Sequence, residues 1–212
     1  MNDVRLDSYV RLETPRASLL MLHGGQERNT EPVRNKHASW WRMALMARSL
    51  RGFATEDNLD LDLLQYRLRG WNSSHDPAPV RDTRETLERV RAERPGVPIV
   101  LVGHSMGGRT ACRVADDPAV VGVVGLAPWL PAGEPHHAIA GKSLHVMHGT
   151  ADRWTSPRAS HDFVERSRAA ATHVSWEPLP GAGHFMFRQR STWRRFVEDS
   201  VRKILDDSTG RT

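Results

Sequence analysis

Val100-Leu101-Val102-Gly103-His104-Ser105-Met106-Gly107-Gly108 is the stretch that decides how this chain is read. With Ile99 ahead of it, the apolar run marks a strand buried on both faces. The run stops at Gly103, and a serine follows with two glycines close behind it. A residue in a tight turn from strand into helix takes strained dihedrals, and side chains two positions away on either side would collide. Gly103 and Gly107 remove those collisions, and Gly108 lets the helix approach the strand. The helix N-terminus also turns free N–H groups toward the serine. The stretch therefore predicts a nucleophile elbow with Ser105 at its tip and a helix from Met106 to Ala115.

The sequence on either side of the elbow keeps the same rhythm. Residues 17–25 read as an apolar strand ending in glycines, and 26–36 as a polar loop. The spacing of Trp41, Leu45 and Leu50 predicts a helix over 38–51, with Gly52 as its stop. Residues 59–66 alternate and read as a strand; 69–79 read as a loop. A charged amphipathic helix over 80–93 ends at Pro95-Gly96. Buried strands follow at 119–126 and 143–149, a helix at 156–171 behind Ser156-Pro157, a strand at 173–179 and a last helix at 192–205. Residues 3–13 supply one or two edge strands. Strands alternating with helices predict an α/β fold, a mostly parallel sheet with helices on both faces, built as one domain over residues 1–212.

Composition narrows the function. The 212 residues carry a net charge of +5, with arginine far outnumbering lysine (Lys36, Lys142 and Lys203 only). The arginines are dispersed, and there is no basic tail or nucleic-acid motif, so the charge reads as a solvated surface and no nucleic-acid partner is expected. No apolar run is long enough to span a membrane; Val120 to Leu130 is broken by two glycines and a proline. The N-terminal stretch lacks the apolar core of a signal peptide. Cys112 is the only cysteine, which fits a reducing, cytoplasmic setting.

In a parallel α/β sheet, ligands meet the carboxyl ends of the strands. A serine there needs a base. Of eleven histidines, His184 sits in the loop between the last strand and the last helix, with Gly181 and Gly183 to present it. His23 and His148 precede glycines at strand ends and read as local structure, His104 belongs to the elbow, and His136-His137 lack metal-ligand spacing. An imidazole base needs a carboxylate to fix its tautomer. Asp152, after the strand at 143–149, is the candidate, with Glu134 as the competitor. No metal or other cofactor is required by this chemistry.

These motifs, L-H-G-G at 22–25, G-H-S-M-G-G at 103–108, H-G-T-A-D at 148–152 and G-A-G-H-F at 181–185, resemble those of the α/β-hydrolase superfamily, in that family's order Ser, Asp, His. The resemblance implies a serine hydrolase and an oxyanion hole formed by the N–H groups of Met106 and Gly25, with Gln26 as a substitute for the latter. Serine at 105 separates the chain from the epoxide hydrolases and haloalkane dehalogenases, which use aspartate there, and from the dienelactone hydrolases, which use cysteine. R-L-R-G-W-N-S at 67–73 resembles a family loop in which Asn72 replaces a common glycine. The segment between Leu126 and Leu144 is too short for a cap of helices, so the site is expected to be open. Trp129, Trp154 and Phe185 are expected to line it, Trp40 and Trp41 lie nearby on the first helix, and loop 26–36 is positioned to fold over it. The expected activity is hydrolysis of a small ester or thioester. C–C bond cleavage, amidase or acyltransferase chemistry on the same residues, and a non-catalytic binding protein, are the alternatives.

Overall fold

The computed structural model describes residues 3–210. The outermost residues of the expected domain, including Met1 and Asn2 at the head of the stretch read for a signal, lie outside the described residues. Among those described, seven strands form one sheet: β1 (Arg5–Val10), β2 (Ala17–Leu22), β3 (Leu59–Gln65), β4 (Ile99–His104), β5 (Val120–Leu126), β6 (Ser143–Gly149) and β7 (Val174–Leu179). Their spatial order is β1-β3-β2-β4-β5-β6-β7. Only β1 runs antiparallel, against β3; the other pairings are parallel. Every residue of β2, β4 and β6 is buried. Successive side chains point to opposite faces, so both faces must be covered.

The covering helices are α1 (Ala38–Ser49), α2 (Arg51–Glu56), α3 (Ala78–Glu93), α4 (Met106–Val114), α5 (Pro157–Ser167) and α6 (Arg190–Ser208). Between β5 and β6 there is only a one-turn 3₁₀ segment, His137–Ile139, so no cap stands over the sheet. The chain winds outward from β2 to β3, then jumps back to β4 on the other side of β2. The strand order therefore reverses between β2 and β4, where open α/β sheets leave a crevice at their carboxyl ends. Gly25 and Ser105 sit at that crevice.

One expectation needs correction. The first helix does not stop at Gly52. It breaks at Leu50, whose N–H is shared between the carbonyls of Met46 and Ala47, and α2 carries on to Glu56. Gly52 lacks a positive φ, and a side chain there would meet open space, so nothing about it ends a helix. The alternating stretch is a strand, β3, as read from the sequence, but its acidic residues are buried as well. Asp60 and Asp62 are both buried. Arg94 reaches Asp60 at 2.9 Å, and Arg11 lies 3.4 Å from Asp60 and 3.8 Å from Asp62. The period-2 polar face was real, but arginines rather than water cover it.

Burial pushes the Asp62 carboxyl up to about 6, with a hydrogen bond from Ser8 and the charge of Arg11 only partly opposing it. An unfolded aspartate titrates near 4. Between these values the folded state binds more protons than the unfolded one, so Asp62 costs stability as pH rises through that window and the full cost stands above it. Asp62→Asn is therefore expected to be more stable than wild type by about 2–3 kcal/mol at pH above roughly 7, with the gap closing near pH 4. Urea melts of both proteins at the two pH values test this; an equal loss of stability at both would refute it.

Candidate active site

Ser105 has φ 56° and ψ −118°, a left-handed conformation that a serine adopts only when the surroundings impose it. They do so from both sides. The Ser105 N–H donates to the Leu126 carbonyl at 3.1 Å, and the Ser105 carbonyl accepts from Trp129 N–H at 3.0 Å. A Cβ on Gly103 would overlap the Gly107 carbonyl, and one on Gly107 would overlap the Leu22 carbonyl. Neither backbone can move without shifting a central strand, so the spacing of these glycines is a steric requirement of the turn.

The side chains expected from the sequence meet at the strand ends. His184 Nε2 lies 3.0 Å from Ser105 Oγ, and His184 Nδ1 lies 2.8 Å from Asp152 Oδ2. A carboxylate only accepts, so the proton is on Nδ1 and Nε2 is left to accept from the serine hydroxyl. Asp152 receives four further donors. Trp154 N–H (2.8 Å) and Thr155 N–H (3.0 Å) donate to Oδ1, while Thr155 Oγ1 (2.9 Å) and His148 Nε2 (3.1 Å) donate to Oδ2. Burial alone would push this carboxyl up. The hydrogen bonds from His148, His184 and Thr155 reverse that and hold it far below the usual carboxylate range. These donors favour the ionised form of Asp152.

Glu134, the competing acid, is elsewhere. It is buried against Arg109 at 2.6 Å and Arg113 at 3.5 Å. The Arg109 guanidinium is in turn clamped between the rings of Trp71 (4.1 Å) and Trp129 (4.4 Å), which fixes Trp129 on the wall of the site.

Three histidines read as structural from the sequence hold the site's frame. His23 accepts from Tyr66 N–H at its Nε2 (3.3 Å) and donates from Nδ1 to the Gly24 carbonyl (2.6 Å), pinning the L-H-G-G turn. Burial pulls its pKa down to about 4, so it stays neutral and keeps one tautomer. His104 donates from Nε2 to the His184 carbonyl at 2.9 Å and anchors the loop that carries His184; burial, with the nearby His184, keeps it well below the ordinary histidine value. His148 Nδ1 is bonded to Ser160 Oγ at 2.7 Å, which directs its other nitrogen to Asp152. Thr155 was not anticipated. Its only sequence signal is its place three residues after an acid in a strand-end loop.

Beside Ser105 opens a cavity of about 560 Å³. Gly25 and Met106 line it, and among the described residues neither N–H has another partner. The Gln26 N–H is occupied by the Arg69 carbonyl at 2.9 Å, which removes it as a substitute. A Cβ on Gly25 would strike the Met106 thioether and the Arg69 carbonyl, so only glycine fits there. Trp129, Trp154 and Phe185 line the cavity as expected. Trp154 is 74% exposed and stacks along His184, with ring centroids 6.4 Å apart. Trp40 and Trp41 are not on its wall; they flank a different surface hollow, with Lys36 and Arg48.

Loop 26–36 does not close over the site. It is tied back by backbone bonds from Arg69 to Glu31 and from Val33 to Arg67, with Gln26, Glu27 and His37 left on the cavity wall. Asn72 makes this clip work. It takes φ 66°, which asparagine tolerates better than most residues, and its side chain bonds both the N–H (2.8 Å) and the carbonyl (3.0 Å) of Asn29. Asparagine at this position thus tethers the two loops to each other. Among the described residues no group of three or more His, Cys, Asp or Glu is placed to hold a metal ion, and no helix is long and apolar enough to cross a membrane.

Known proteins share this fold. The model of the alpha/beta hydrolase family matches residues 19–142. No curated protein matches the chain in sequence. Among solved structures, an α/β serine hydrolase without lid from Xanthomonas campestris is 22% identical, with 94% of this chain and 88% of that one covered and a TM-score of 0.67. A monoacylglycerol lipase from Paleococcus ferrophilus is 16% identical (97% and 99% covered, TM-score 0.67). Est1E from Butyrivibrio proteoclasticus, solved with ferulic acid bound, is 12% identical (95% and 96% covered, TM-score 0.69). With the family model matching more than half of its length, and no lid over the sheet, the chain belongs to the alpha/beta hydrolase family and is a hydrolase.

Proposed function

We propose that this hydrolase cleaves small carboxylic esters or thioesters through an acyl-enzyme on Ser105, with His184 as base and Asp152 as orienting acid. The carrying observation is the single imidazole that bridges Ser105 Oγ and Asp152 Oδ2. Ser105 Oγ attacks the carbonyl carbon as its proton passes to His184 Nε2. The carbonyl oxygen takes the negative charge and is held by the N–H groups of Gly25 and Met106, a pair worth roughly 3–4 kcal/mol per donor in such sites. Asp152 stabilises the imidazolium. The intermediate collapses, the C–O or C–S bond breaks, and His184 returns its proton to the leaving alcohol or thiol. Water then enters, gives a proton to His184, and attacks the acyl carbon. When that second intermediate collapses, Ser105 leaves with the proton from His184 and the acid departs. Each step uses groups of this one domain.

Neighbours with this fold include a ferulic-acid-binding protein and a monoacylglycerol lipase, so the fold leaves substrate size open and the cavity must decide it. No cap covers the site and the tryptophans at its mouth are fixed or solvent-facing. Among the described residues the cavity beside Ser105, about 560 Å³ and bordered by the exposed Trp154, is not an enclosed tunnel for ten or more methylenes, each of which would contribute about 0.8 kcal/mol on burial. Across p-nitrophenyl esters, kcat/KM is expected to peak at short acyl chains of about two to six carbons, beyond which added methylenes stay in water and contribute little. A steady rise through long chains, with activation at an oil–water interface, would overturn this reading.

A further inference from the structure

Arg42 is an arginine on the cavity wall that the proposed reaction leaves unused and that no carboxylate engages among the described residues. It lies on α1, half-buried, and lines the same cavity as Ser105 and His184. Its guanidinium carbon sits 4.6 Å over the Phe185 ring and 5.5 Å over the Phe187 ring. Its Nε is shielded from solvent without a hydrogen-bond partner, and among the described residues no carboxylate pairs with the group. Burial pulls its pKa down from the ordinary arginine value, and its charge is felt at His104, next to Ser105. An arginine stays charged regardless, and a half-buried cation without a counter-ion is costly. The other arginine on the cavity wall, Arg69, is already held by Glu31 at 2.6 Å. Glu27 is the one carboxylate lining the cavity, and it is solvent-exposed.

Arg42 also borders a second concavity. A groove of about 350 Å³ runs from Phe185 between α1 and the start of α6, floored by Leu45, Met46 and Met186. Its charged lining residues are Arg42, Arg190 and Arg194, with no acid among them. Arg194 leans on Glu198 at 3.3 Å, whereas no carboxylate pairs with Arg190 among the described residues. The groove and the active-site cavity share Arg42 and Phe185. Phe185 directly follows His184, its ring 5.3 Å from that of His184, so the groove begins beside the imidazole that protonates the departing alcohol or thiol in the proposed reaction.

We propose that the ester or thioester cleaved at Ser105 carries an anionic oxygen group, a carboxylate or a phosphate, on its leaving arm, and that Arg42, seconded by Arg190, receives it. This rests on the hydrolytic reading above. Guanidinium groups match both anions in geometry and charge, and an anion from the substrate supplies the partner that Arg42 lacks. The apolar floor between the two arginines and Phe185 accommodates the uncharged part of the arm.

Two matched pairs test this. One is 4-acetoxybenzoate against its methyl ester, which differ only in a carboxylate. The other is acetyl-coenzyme A against S-acetyl-N-acetylcysteamine, which differ in the phosphate-bearing arm. The readout is the ratio of kcat/KM, anionic over neutral, in wild type, Arg42→Met and Arg42→Lys. In at least one pair the wild-type ratio is expected to exceed one and to fall about 10- to 100-fold in Arg42→Met, the loss of a charged hydrogen bond, with a smaller fall in Arg42→Lys. The pair that responds identifies the anion. The wild-type ratio is also expected to drop from low salt to about 0.5 M NaCl, a measurement that needs no variant to fold. A neutral preference in both pairs, a ratio insensitive to salt, or a ratio unchanged in folded Arg42→Met would overturn the proposal while leaving the hydrolase reading intact. Failure to hydrolyse even the neutral members would overturn both.

Discussion

Ser105→Ala and His184→Ala are each expected to lower kcat/KM for a short activated ester by roughly 10⁴–10⁶-fold, and the double variant by no more than the larger single loss. The non-additivity is the informative part. In the proposed reaction Ser105 Oγ is a weak nucleophile until His184 Nε2, 3.0 Å away, takes its proton. With either group gone the other has no task, so the two residues act as one unit. Both side chains can be shortened without disturbing the frame. The backbone of the turn is held by Leu126 and Trp129, and the loop bearing His184 by His104. Steady-state kinetics with circular dichroism on each variant makes the check. Losses that multiply in the double variant would mean that the residues contribute separately.

Asp152→Asn is expected to cost about 10³–10⁴-fold, through the wrong histidine tautomer rather than through misplacement. The two oxygens of Asp152 are not equivalent. Oδ1 accepts from the backbone N–H groups of Trp154 and Thr155, which are fixed. An asparagine must therefore keep its carbonyl there and turn its NH₂ toward His184, His148 and Thr155. The Nδ1 of His184 then has to accept, its proton moves to Nε2, and Nε2 no longer draws the hydrogen from Ser105. His148 faces the same inversion but has an alternative partner in Ser160. Expected is a loss in kcat/KM with secondary structure unchanged. Full activity in Asp152→Asn alongside an inactive Glu134→Gln would reverse the assignment of the acid.

The parts of this site that the sequence announces are those imposed by backbone sterics. Gly103, Gly107 and Gly108 are spaced by a turn that no other residue can make, and Gly25 by a neighbour that leaves no room for a Cβ. Asp152 and His184 follow from chain order, since strand ends are where loops can reach Ser105. What stayed hidden depends on contacts between segments distant in sequence. Asp60 and Asp62 look like an outward face until Arg11 and Arg94, from separate elements, are seen to cover them. Arg42 is one arginine among many in the sequence, and only the approach of Phe185 and Phe187 shows it to be half-buried and unpaired. The continuation of helix past Leu50 was hidden too, because Gly52 reads as a stop in the sequence yet sits inside α2 without a positive φ. His148 and Thr155 were visible as residues, but not as donors to one carboxylate oxygen, which takes a folded loop to assemble.

The central claim is that Ser105 is the activated nucleophile, and covalent labelling tests it most directly. Wild-type protein incubated with a fluorophosphonate, then digested and mapped by mass spectrometry, is expected to carry one phosphonyl adduct on Ser105. Labelling should be lost in Ser105→Ala, strongly slowed in His184→Ala, and blocked by prior denaturation. An adduct on another residue, or wild-type protein that hydrolyses short esters while Ser105 stays unlabelled, would contradict the account.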